Sequence, residues 1–134
     1  MVMEFFARLR QKQHRLQAEK ERCYEQSQAI VELMYLILLE DRQIGLAGRE
    51  YVQARLIELP WQPNQSQDAY VSRTVAKIRE ALQHRGILVD MVTRMGDRLR
   101  ALELQDVARK HLELMKQGKV RSDSWVLGEL EKAL

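Results

Sequence analysis

Ala29-Ile30-Val31-Glu32-Leu33-Met34-Tyr35-Leu36-Ile37-Leu38-Leu39, broken off by Glu40-Asp41-Arg42-Gln43-Ile44-Gly45, settles the class of this chain. Nothing in the run opposes a helix, and a helix that is apolar on every side is one surrounded by others. It falls short of the roughly 18 to 20 uninterrupted apolar residues of a membrane span, and it carries Glu32. It is therefore a central core helix. After the charged turn, Tyr51, Val52, Leu56 and Leu59 recur at three- and four-residue spacing and predict a second helix over residues 47–59. An acid inside such a run costs several kcal/mol if it stays ionised without a partner, so Glu32 is expected to pair with a basic residue, to mark a polar pocket or to reach a rim.

Outward from this passage the helical reading continues. Residues 4–39 contain no breaker, with Leu9, Leu16 and Tyr24 as occasional anchors in the polar first part. The second helix stops at Leu59-Pro60-Trp61-Gln62-Pro63, because proline lacks a donor and restricts the residue before it. Asn64 or Ser66 can cap a third helix, striped with Tyr70, Val71, Val75, Ile78 and Leu82 and ended by Gly86. A fourth starts near Ile87 and pauses at Gly96-Asp97. A fifth carries Leu102, Leu104, Val107, Ala108, Leu112 and Met115 to Gly118, and a sixth is capped by Ser122 or Asp123 and bears Trp125, Val126, Leu130 and Leu134. Strand patterns are absent. The expectation is an all-α, compact bundle of about six helices in a single domain, 1–134, with residues 1–28 a polar, basic helical extension and residues 29–134 the core.

At 134 residues the chain can bury a core without staples. The single cysteine, Cys23, forms no internal disulfide, and no cysteine and histidine spacing suits zinc, so a reducing, cytoplasmic setting is the simplest expectation. Met1-Val2-Met3-Glu4-Phe5-Phe6-Ala7-Arg8 lacks the pattern of a signal peptide. His14, His84 and His111 fall on different predicted helices, no serine sits in a nucleophile elbow, and no glycine-rich loop could cradle phosphate; an enzyme is not expected.

Net charge is +3, and all of the excess lies in residues 1–22, where Arg8, Arg10, Lys12, Arg15, Lys20 and Arg22 outnumber Glu4, Glu19 and Glu21. Arg8, Lys12, Arg15 and Arg22 come round at three-, four- and seven-residue steps, which offers a surface for nucleic acid or an anionic membrane; a plain solvated face is the alternative. About 1 kcal/mol per basic residue at a membrane gives a net of only about 3 kcal/mol, weaker than millimolar binding, and Phe5 and Phe6 are expected to pack onto the domain. Trp61, between two prolines, is either an exposed contact residue or a lid over the end of the second helix.

A shift of 56 positions lays Asp41-Arg42 on Asp97-Arg98, Leu46 on Leu102, Glu50 on Asp106 and Leu56 on Leu112. Both copies read as apolar helix, acid, turn and amphipathic helix. The stretch from Glu40 through Glu50 and on to Leu59 resembles the helix-turn-helix element of the TerB-like family, with Asp41 at its acid and Ile44 at its aliphatic position. Arg42 replaces the family's glycine, and Glu50 falls two residues later than its usual glutamate. The resemblance covers residues 30–115 and implies an all-helical module that serves as a stress-response or protein-interaction scaffold, in some members with a metal. No cofactor is required, but a divalent cation could be held by Asp41, Glu50, Asp97 and Asp106, with Glu103 as a substitute, if the two turns meet. Otherwise these acids cap helices or pair with Arg42, Arg49 and Arg98. The leading expectation is a non-enzymatic module with a protein partner or a homodimer through the first helix; Arg8, Lys12, Arg15 and Trp61 are its candidate interaction residues.

Overall fold

In the computed structural model, which describes residues 1–40, 46–116 and 125–134, the apolar run lies inside α1 (Val2–Glu40). Five more helices follow among the described residues: α2 (Leu46–Glu58), α3 (Gln67–Gln83), α4 (Arg85–Ala101), α5 (Gln105–Lys116) and α6 (Trp125–Ala133). The second half of α1 touches all five, as an all-round apolar helix must. Leu33, Met34, Leu36 and Ile37 are sealed there against Ile78 of α3, Leu99 of α4, Leu112 of α5 and Leu127 and Leu130 of α6. The protein is an all-α bundle of six helices among the described residues.

Local chemistry sets most helix ends. Ser66 caps α3 by accepting from the Ala69 amide at 3.1 Å, and Gln67 of the same turn donates to the Leu56 carbonyl at the end of α2 at 3.0 Å. α3 ends at Gln83, not at Gly86: His84 takes extended backbone, and Gly86 falls in the first turn of α4. Gly118, Ser122 and Asp123, expected at the next boundary, lie outside the described residues.

The expected pause at Gly96-Asp97 does not exist. α4 runs through both residues to Ala101, and the chain turns at Leu102-Glu103-Leu104 instead. A glycine inside a helix costs only about 1 kcal/mol, and packing returns it here: a Cβ on Gly96 would stand 2.7 Å from Cβ of Ala133, so its bare backbone lets α6 lie close against α4. The true stop is a Schellman turn. The Leu104 amide donates to the Leu99 carbonyl at 2.8 Å, the Glu103 amide donates to the Arg100 carbonyl at 3.0 Å, and Leu99 and Leu104 are both buried. Glu103 adopts φ 57°, the left-handed position that glycine normally fills.

Candidate functional site

The acidic turns do not make a cation site among the described residues. Asp97 pairs with Arg100 on the outside of α4, Asp106 with Arg109 at 3.3 Å in α5, and Glu103 with Arg22 at 3.5 Å, while Glu50 stands exposed on α2. Asp41, Arg42 and Ile44 lie outside the described residues. No group of three or more His, Cys, Asp or Glu side chains among the described residues could hold a metal ion. The turn between α4 and α5 lies at Leu102-Glu103-Leu104 and not at Gly96-Asp97, where the 56-residue shift places it.

Glu32 has the basic partner its surroundings demand. Arg98 of α4 donates to its Oε2 at 2.7 Å and the Tyr70 hydroxyl of α3 donates to its Oε1 at 2.7 Å, so one carboxylate ties three helices together. Arg98 also reaches Gln28 Oε1 at 3.4 Å, and Gln28 donates to Gln65 at 3.2 Å. Burial, then the bond to Glu32 and its charge, push the Tyr70 phenol up to about 12. Burial works against the Arg98 guanidinium, but the Glu32 carboxylate and Tyr70 outweigh it and hold its pKa above the usual value. The cluster closes one end of a cleft of about 360 Å³ floored by Ile78, Met91 and Met95. Both carboxylate oxygens are engaged, and the bonds they accept brace α1 against α3 and α4 as a strut.

Trp61 is half-buried and meets Tyr70 edge to face at 5.2 Å, which makes it part of the strut's outer cover. On α2, Tyr51 shares a hydrogen bond of 2.7 Å with His111 Nδ1 of α5. Burial, helped by Arg55 and Lys110, lowers the His111 pKa below 6.5.

The first half of α1 stands apart from the other helices among the described residues. Every residue from 1 to 23 is exposed, a rod of about 35 Å at 1.5 Å per residue. The core first grips the helix where Arg22 meets Glu103 and where Gln26 donates to the Leu102 carbonyl at 2.9 Å. Phe5 and Phe6 do not pack onto the domain: they are 60% and 51% exposed and touch each other edge to face at 5.9 Å. The continuous helix carries them beyond the bundle's reach. Val2, Leu9, Leu16 and Cys23 recur every seven residues and share one face with Phe5 and Phe6, and Arg8, Arg15 and Arg22 each stand one residue before a member of that line. Arg8, Lys12 and Arg15 are thus brought together on one exposed element, far from Trp61.

No family model, curated protein or solved structure matches the chain. Among the described residues no helix is long and apolar enough to cross a membrane.

Sequence reasoning missed Tyr70 and Arg98. Arg98 was legible in principle: it falls seven residues after Met91 and three after Met95, on the stripe that faces the core, where a base asks for a buried acid. The seven-residue apolar line on α1 was legible too, hidden by the polar residues around it.

Proposed function

We propose that this protein is a non-enzymatic interaction module whose core holds the first half of α1 outward as a docking arm. The observation that carries this reading is the exposure of Val2, Phe5, Phe6, Leu9 and Leu16 along one face of a helix already formed. Burying one such side chain is worth roughly 1.5–3 kcal/mol, so the five together supply ample driving force even after the cost of association. Contiguous apolar surface of this kind marks interaction sites on water-exposed domains. The core supplies rigidity: the Glu32 strut and the all-round packing of residues 29–37 fix the angle at which the arm leaves it. The stress-response scaffold implied by the TerB-like resemblance is a specific form of this role, supported by the stretch from Glu40 to Leu59 alone.

The test is photo-crosslinking in cells with benzoylphenylalanine placed along the arm. Replacement of Leu9 or Leu16 should give adducts with protein or lipid, whereas replacement of Gln11 or Ala18, on the opposite face, should give few. Equal yields from both faces, or none from either, would contradict the assignment.

A further inference from the structure

Resting on the arm as the contact element, we infer that its occupant is an anionic lipid surface, with the apolar face seated at the headgroup and acyl boundary and the basic residues on lipid phosphates. Charge is the first argument. Six basic residues face three acids in residues 1–22, and no carboxylate among the described residues pairs with Arg8, Arg10, Lys12, Arg15 or Lys20. These five are free to meet anions. Lys12 and Lys20, close to the apolar line, have stems long enough to lie along it while their ammonium groups stay at the headgroups.

The order of residues along the arm is the second argument. Met1, Val2, Met3, Phe5, Phe6 and Leu9 make its outer turns apolar across a face and both its flanks, and all are exposed. A partner helix covers roughly a 100° stripe and would leave the flanking Met1 and Met3 in water, whereas a bilayer takes in the whole width. Glu4, the one acid of these turns, projects nearly opposite Phe6, on the side of the helix that also carries Arg8 and Arg15. Arg8 precedes Leu9 and Arg15 precedes Leu16, so basic and apolar residues run side by side along the arm, as in a helix lying in the plane of the interface.

Self-pairing fits the same surface poorly. In a parallel pair the residue before each apolar position faces the one five further on, which sets Arg8 against Gln13 and Arg15 against Lys20 of a second copy; in an antiparallel pair the arginine lines face each other. Neither arrangement offers an opposite charge at these flanks. Lys12 and Glu19 also interrupt the second apolar line that a stable coiled coil requires.

The experiment is co-sedimentation of the full chain with phosphatidylcholine vesicles, with and without about one-third phosphatidylglycerol, at low and high salt. The expected result is binding to the anionic vesicles only, weakened by salt. The combined Arg8→Gln, Lys12→Gln and Arg15→Gln variant should lower the affinity about 100-fold, at roughly one basic contact per residue. Phe5→Ser with Phe6→Ser should lower it by a similar factor, while Lys77→Gln with Arg94→Gln, on the core, should not. All these positions are solvent-exposed, so circular dichroism should report an unchanged fold. No binding, equal binding to neutral vesicles, or a concentration-dependent dimer abolished by Leu9→Ser with Leu16→Ser would overturn the lipid assignment. In those cases face-specific crosslinks to protein would keep the arm as the contact element, whereas their absence would remove both readings.

Discussion

Charge removal at the centre of the strut should be felt by the whole fold. Glu32→Gln keeps the shape of the side chain and an oxygen for the Tyr70 hydroxyl, but it turns an amide donor toward the Arg98 guanidinium, so the contact with α4 becomes donor against donor. At a 2.7 Å contact the gross attraction is about 6 kcal/mol with an effective dielectric of 20, most of it cancelled by desolvation. The side chains are 35% and 30% exposed, which places the pair between a surface bridge, worth about 0.2–1 kcal/mol, and a fully buried one. The expected loss for Glu32→Gln is therefore about 1–2 kcal/mol, with a similar loss for Arg98→Met, and the double variant should fall short of their sum by about 1 kcal/mol. Urea unfolding followed by circular dichroism measures all three. Additivity within about 0.3 kcal/mol would refute the strut.

Further predictions follow from the same geometry. The folded protein holds Tyr70 neutral up to about 12 against an ordinary 10.0, so that stabilisation is complete below pH 10 and lost as pH rises toward 12; Tyr70→Phe should remove this alkaline limb from a plot of stability against pH. His111, lowered below 6.5, contributes stability above that pH that is lost as pH falls through its folded-state value, and His111→Gln should flatten the acid limb. Gly96→Ala should destabilise by about 1–2 kcal/mol through the clash with Ala133, whereas Gly86→Ala, with open space around its Cβ, should stabilise by about 0.5–1 kcal/mol; thermal melts separate them. Glu103→Gly should raise stability by about 1 kcal/mol by relieving the left-handed backbone, and an unchanged or lower value would argue against the Schellman turn.

Helix existence was legible because apolar spacing is dictated by the core each helix faces. The run from Ala29 to Leu39 and the stripe ending at Ile78 and Leu82 declare their buried sides directly. Boundaries were less legible where a residue's local preference and its tertiary role diverge. Gly96 has the composition of a turn and the function of a close packing contact, while Glu103 has no turn signature and yet takes the turn conformation. The same divergence misled the reading of the site. Asp97 and Arg98 were grouped as neighbours in a turn, but on a continuous helix they point apart, Asp97 to Arg100 on the surface and Arg98 inward to Glu32. The partner of Glu32 could be anticipated as a base, since a buried charge requires one, but its identity depends on how α4 crosses α1. Phe5 and Phe6 show a further limit: amphipathic sequence reports that an apolar face will be covered, and only the path of the helix shows that the bundle does not cover it.

Deleting residues 1–20 and measuring unfolding and crosslinking on the same chain tests the arm most directly. Those residues bury nothing in the core, so the free energy of unfolding should stay within about 0.5 kcal/mol of the full chain, while the contacts made through the arm disappear. A loss above about 2 kcal/mol would mean that the segment packs on the bundle after all and is not a docking arm.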